Sequence, residues 1–209
     1  MKRLFVRGGI AASVVLVVFG IASIVMGVNG RSEIRDTLSQ EAIVGSPDMT
    51  PKAISAAADE AGLTGVTLPT CSVADQPIDT GARAKCFASY MRIHALELTG
   101  GQTYSQMGRF LDDKGEATSD ETLAATDPKT GAPVENPARN IWINETALST
   151  ALNTSYFAER VSVFSIIMGV ALLLTGIGMA VLTLGALRRP DDEVATDRAP
   201  SSAPGAGSA

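Results

Sequence analysis

One histidine, two cysteines and one tryptophan are all that this 209-residue chain holds of the residue types that most often carry chemistry. With His94 alone, no multi-histidine metal site can form, and a Ser-His-Asp arrangement has no second imidazole to draw on. Cys71 and Cys86 stand too far apart for a CxxC redox motif, and with one His they are too few for a structural zinc site. The patterns HExxH, GxSxG, SxxK and GxxxxGK[ST] are absent. Aromatics make up 5% of the chain and the net charge is −5, which argues against a nucleic-acid partner. Nothing here provides a catalytic set, a cofactor site or a metal site, so the expectation is a protein that is not an enzyme.

Charge is also missing from two places. Gly8–Val28 and the run from Val161 to Leu187 contain no Asp, Glu, Lys, Arg or His. At ~1.5 Å per helical residue the first covers roughly 30 Å, the thickness of a bilayer's hydrocarbon core. Uncharged interiors also lack the usual mark of an ion path or proton relay. Lys2, Arg3 and Arg7 precede the first run, and Arg188 and Arg189 follow the second. By the positive-inside rule both outer ends belong in the cytoplasm. A cleaved signal peptide is the rival reading, with Val28-Asn29-Gly30 as a passable cleavage site. The apolar run exceeds the usual h-region of about 7–15 residues, which favours a retained anchor.

Small residues recur every seven positions in both runs: Ser13, Gly20 and Gly27 in the first, Gly169, Gly176 and Thr183 in the second. Such a stripe lets helix backbones approach in lipid and suits a left-handed pair. Run antiparallel, the stripes pair Gly27 with Gly169, Gly20 with Gly176 and Ser13 with Thr183.

The polar segment between the runs carries 11 Lys and Arg against 18 Asp and Glu. Placed outside the cytoplasm, Cys71 and Cys86 are expected to form a structural disulfide worth about 3 kcal/mol. The first span is expected to continue as a helix to about Ile43. Thr50 and Pro51 then mark a helix start as N-cap and first helical residue, and Gly62 marks its end. Residues 63–79 hold Gly, two Pro and β-branched residues and read as a loop. Ala82–Leu98 reads as the strongest helix, with an apolar stripe of Phe87, Met91, Ala95 and Leu98, widened by Tyr90 and Ile93. His94 lies on that stripe within reach of Tyr90 and Glu97, as a packed histidine. Thr103-x-x-Gln106 and Thr118-x-x-Glu121 have the form of capping boxes for two short helices. The acids Asp112, Asp113, Glu116, Asp120 and Glu121 fail the calcium-loop pattern, because Lys114 occupies its third position. From about Asn144 a long helix feeds the second span. Ile34 and Leu38, with Leu148, Leu152 and Phe157, are expected to floor the domain, with Trp142 nearby. The tail after Arg189 is rich in Pro, Gly, Ala and Ser and reads as disordered.

Two pieces, AKCFASYMRIHALELTGGQTYSQMGRF and PARNIWINETALSTALNTSYFAERVSVFSI, resemble a group of small uncharacterised actinobacterial membrane proteins. That resemblance implies two spans around an exported segment, and a bacterial envelope as the setting. It implies no activity.

The expected fold is therefore mainly α: two transmembrane helices in an antiparallel hairpin, with a small disulfide-stapled helical extracytoplasmic domain between them. Residues 1–7 form a cytoplasmic N-terminus, 8–28 the first span, 29–160 the extracytoplasmic domain, 161–187 the second span and 188–209 a cytoplasmic tail. The setting is the plasma membrane, the lipid bilayer is the first partner, and other membrane or envelope proteins are the next. Function narrows to a non-enzymatic accessory or interaction module of the envelope. The alternative is an extracytoplasmic ligand sensor that signals through a partner protein. Reporter fusions at residue 100 and at the C-terminus should give opposite answers for cytoplasmic exposure. Matching answers would show a single span or a cleaved leader.

Overall fold

Both uncharged stretches belong to much longer helices. The computed structural model describes residues 2–188, and the tail expected to be disordered lies, from residue 189 on, outside them. Helix α1 spans Lys2–Gln40, α2 Pro51–Glu60, α3 Gly81–Leu98 and α4 Ala138–Arg188. A two-residue antiparallel pair, β1 (Phe110–Leu111) and β2 (Ala117–Thr118), joins Phe110 to Thr118 and Leu111 to Ala117. The fold is mainly helical, and α1 and α4 are each long and apolar enough to cross a membrane. Two compact units can be distinguished: Met26–Ser165, and the residues up to Val25 together with those from Ile166.

In the unit Met26–Ser165, capping chemistry sets most helix starts. Thr50 caps α2 by accepting from Ala53 N, with Pro51 in the first turn, and Gly62 follows its end at φ +65°. Thr80 caps α3 in the same way through Arg83 N. The start of α4 lies six residues ahead of the expected Asn144. Asn136 accepts from Ala138 N at 3.0 Å, and Pro137 supplies the preset φ of a first turn. The first helix stops at Gln40, three residues short of expectation, and Ala42 turns at φ +50°. Residues 43–45 then align with 74–78: Ile78 N donates to Ile43 O, and Gly45 N to Gln76 O. Gly45 lies against Val73 O so closely that no side chain fits there.

α3 is central to the core. Ala84, Phe87, Tyr90, Ile93 and Leu96 are all buried, together with Leu38, Ile54, Val73, Ile78, Trp142 and Leu152. The expected one-sided stripe was too narrow, because α3 is covered on several sides. Leu98 is 70% exposed, and Leu96 is buried in its place. Ile34, Leu38, Leu148 and Leu152 do pack on the core, whereas Phe157 is 67% exposed. On α4 the inward rows are Glu145, Leu152 and Glu159 beside Leu148, Ser155 and Ser162, and Phe157 belongs to neither.

The short helix expected from Thr103 does not form, and the one expected from Thr118 is reduced to a three-residue 3-10 helix, Glu121–Leu123. Thr103 N and its hydroxyl do meet Gln106 Oε1 at 2.8 Å, yet the segment is a turn leading into β1. Gly108 packs against the backbone of Ala117 and Thr118, so strand pairing takes over where the helix would run. Thr118 lies in β2, and the following 3-10 turn, Glu121–Leu123, is capped by Asp120 instead.

In the other unit, α1 and α4 touch along small residues. A methyl on Gly20 would lie 2.8 Å from Gly169 O and from Leu173 N. Gly176 meets Leu16 and Val17, and Gly9 meets Thr183. Residue numbers rise on one helix as they fall on the other, so the helices run antiparallel. Ser13, Gly20, Gly169 and Gly176 are buried and Thr183 half-buried; Gly27 is buried in the other unit. The register differs from the one read off the stripe by about one helical turn. Gly20 meets Gly169 and Leu173, not Gly176, and Thr183 meets Gly9, not Ser13. Interdigitation explains the offset: a position on one helix enters the hole between residues of the next, so equal notches do not stack level. The hydroxyls of Ser13 and Thr183 donate to Gly9 O and Met179 O of their own helices, which leaves no bare polar group on the seam.

A Cβ on Gly9 would stand 3.5 Å from Thr183 Cβ, inside the disulfide range of about 3.5–4.5 Å. Treated with copper phenanthroline as oxidant, Gly9→Cys with Thr183→Cys should therefore form a disulfide within one chain and leave no thiol for maleimide after unfolding. Ser13→Cys with Thr183→Cys, the pair expected from the stripe, should leave two. The reverse result would restore the level register.

Candidate functional site

Cys71 and Cys86 form a disulfide with their Cα atoms 6.1 Å apart, linking the irregular segment to the second turn of α3. One turn on, Tyr90 is fully buried and donates its hydroxyl to Cys71 O at 2.6 Å. Burial raises the Tyr90 pKa above its ordinary value, since the phenolate would lose its hydration. Bond and hydroxyl together hold the loop on the helix, and neither is free for chemistry.

Glu159 is the most heavily used carboxylate in this domain. Its Oε2 accepts from Gly81 N, the first N–H of α3, at 2.8 Å. Its Oε1 accepts from Arg31 Nε at 3.2 Å, with Arg35 Nε at 3.9 Å. One side chain on α4 thus closes the positive end of α3 and receives two cations of α1. A methyl on Gly81 would come within 2.8 Å of Glu159 Oε2 and Tyr156 Cα, so the close approach needs glycine. Lys85 and Arg160 flank the Tyr156 ring, and the hydrogen bond from Arg160 Nε lowers that phenol's pKa.

His94 bonds Glu97 Oε2 through Nδ1 at 2.9 Å, and its Nε2 faces Asp48 Oδ2 at 3.5 Å. Tyr90, expected as a neighbour, points its hydroxyl elsewhere. Asp48 also accepts from the Ser46 hydroxyl. The acidic cluster does not converge. Asp112 turns its carboxylate onto Lys114 N and Glu116 N, within the β1–β2 connection. Asp120 caps its 3-10 turn, where the Thr122 hydroxyl and then the Thr122 N–H lower its pKa. Among the described residues no three His, Cys, Asp or Glu side chains are grouped to hold a metal ion.

A groove of about 540 Å³ runs between α3 and α4. Ser89 and Arg92 line one wall, and Glu145, Ser149, Asn153 and Thr154 line the other. Glu145 is 4% exposed. Its carboxylate accepts from Ser149 Oγ at 2.8 Å and, at 3.4 Å, from the Thr146 hydroxyl. No described Lys, Arg or His lies within ion-pair distance of it. Arg92 stacks instead on the Trp142 ring, 5.2 Å from its centroid. Trp142 donates Nε1–H to Gln102 O at 2.7 Å.

Reading the sequence by motif gives neither Glu145 nor Glu159. A usable signal was the stripe itself. Carried upstream by sevens from Gly169, it reaches Ser162, Ser155 and Leu148, and the adjoining row holds Glu159, Leu152 and Glu145. Both acids therefore fall on the inward face of one heptad pattern. No family model, curated protein or solved structure matches the chain.

Glu159→Ala leaves the Gly81 N–H and the Arg31 guanidinium without their shared acceptor. It should lower stability by about 2–4 kcal/mol, the range for stripping a partner from a largely buried charged bond. Denaturation followed by Trp142 emission would measure this. A loss below about 0.5 kcal/mol would reduce Glu159 to the worth of an exposed ion pair.

Proposed function

We propose that the chain is an integral membrane protein of the cell envelope whose middle domain binds a partner and does no chemistry. In this reading residues 8–28 and 161–187 cross the bilayer as an antiparallel hairpin, both termini are cytoplasmic, and residues 29–160 are extracytoplasmic. The observation that carries it is the bareness of the two apolar segments. Their best 18-residue windows have mean hydropathies of 2.6 and 2.3, and 11% of each is buried. Phe19, Val15, Leu174 and Leu182 are among the large side chains left open. A helix apolar on every side and so little covered suits lipid far better than water.

Binding, rather than catalysis, is supported by how the reactive side chains are engaged. Both cysteines are consumed in their disulfide, and His94 is held between carboxylates. What stays open on the domain is the α3–α4 groove and an apolar recess of about 630 Å³, lined by Ile143, Ala147 and the buried Trp142 of α4 and by Tyr104 from the turn after α3. The accessory or interaction module places a membrane or envelope protein there. A ligand sensor working through a partner is the second reading, and the isolated charge of Glu145 in the groove favours it.

Cross-linking in intact membranes, mild-detergent purification and mass spectrometry should return one reproducible envelope or membrane protein. Ile143→Arg with Thr150→Arg should remove it without changing the yield of the chain. If no partner recurs, or if the double variant keeps it, the interaction module is the wrong reading.

A further inference from the structure

We infer that the α3–α4 groove is a binding site for a primary ammonium group on a polar frame, with Glu145 as its anchor. This deepens the reading of residues 29–160 as a binding domain by naming what the groove would recognise. Glu145 is more than nine-tenths buried, yet only hydroxyls meet its carboxylate. A buried carboxylate without a counter-charge is costly, and proteins ordinarily pair it or give it a metal. Here the available cation is turned away: Arg92 spends its guanidinium on the face of Trp142. No other described residue brings a cation within ion-pair range of it.

Glu159, two heptads on along the same helix face, is the internal control. It is buried to a similar degree, and there the chain supplies both a cation and a helix N–H. Glu145 has the same seat and lacks the cation, and it borders open space of about 540 Å³. That volume falls in the usual range of small-ligand sites, about 300–1,000 Å³. Its remaining wall carries hydroxyls and an amide, from Ser89, Ser149, Asn153 and Thr154, beside the apolar Ala88 and Phe157. The protons of these polar groups are already given within the helices, to Lys85 O, Glu145 Oε1, Ser149 O and Thr150 O, so the groove offers mainly oxygen acceptors, which suit the O–H donors of an amino sugar or the N–H donors of a lysine-bearing peptide. The charge that completes Glu145 is common to both, and the frame around it separates them.

The test uses the full chain in detergent and two matched probe pairs. One is glucosamine against N-acetylglucosamine; the other is lysine amide against Nε-acetyl-lysine amide, each with a blocked α-amine. Saturation-transfer NMR should show saturable binding of one amine with at least tenfold discrimination against its acetylated mate. The pair that responds identifies the frame. E145Q keeps shape and hydrogen bonding, and should erase the discrimination while leaving the melting temperature unchanged or raised. Equal binding of both members of each pair, or no saturable binding of any, overturns the inference, and this arm needs no variant to fold. A clear fall in melting temperature for E145Q also overturns it, since the carboxylate would then be paired inside the protein. Partner capture that persists alongside a failed probe test leaves the interaction module standing and removes the ammonium site alone.

Discussion

A single carboxylate on α4 joins three helices of the domain. Glu159 receives the leading N–H of α3 on one oxygen and the guanidinium of Arg31 on the other. Three helices, far apart in sequence, therefore share one acceptor. The geometry requires Gly81, because any side chain at that position would strike both Glu159 and the backbone of Tyr156. It also helps to explain why α3 can begin where it does. Thr80 caps one N–H through its side chain, and Glu159 takes another that would otherwise be orphaned in a buried place. With that end secured, α3 can present Phe87, Tyr90, Ile93 and Leu96 to the core, while the disulfide and the Tyr90 hydroxyl fasten the irregular segment beside it.

The same helix shows how one periodicity serves two environments. Along α4 the less exposed positions repeat by sevens in two adjoining rows, Glu145, Leu152 and Glu159 in one and Ser162, Gly169 and Gly176 in the other. In the apolar part the repeat is filled by glycine and hydroxyl residues, which let the backbones of α1 and α4 come close. In the polar part it is filled by leucine and by two acids, where burial of apolar area drives packing and charges need partners.

Much of this was legible, and the failures share a cause. Thr50-Pro51, Gly62 and the run from Ala82 announce their structures locally, and those elements stand within a residue or so of expectation. The capping pattern at Thr103 is just as local, and its side-chain bond forms. Yet Gly108 fits against the backbone of a strand that sequence spacing does not reveal, and pairing overrides the helix. Asn136-Pro137 is a helix start hidden inside a Gly- and Pro-rich stretch that reads as loop. Leu98 and Phe157 fit a helical stripe in isolation, but burial depends on how many sides of each helix are covered. Of the candidate site, the cysteine pair and the small-residue stripes could be read directly. The unpaired charge of Glu145 could not, because it depends on where Arg92 points.

The lone Trp142 gives the domain a built-in optical reporter. Its indole is 3% exposed, anchored through Nε1 to Gln102 O and covered on one face by Arg92. Such a ring emits in a dry, fixed setting with a cation against its π system. Arg92 is at once the indole's neighbour and a wall of the groove. An occupant that displaces the guanidinium, as a cation entering beside Glu145 would by repulsion, changes the colour or brightness of that one fluorophore in the unlabelled protein.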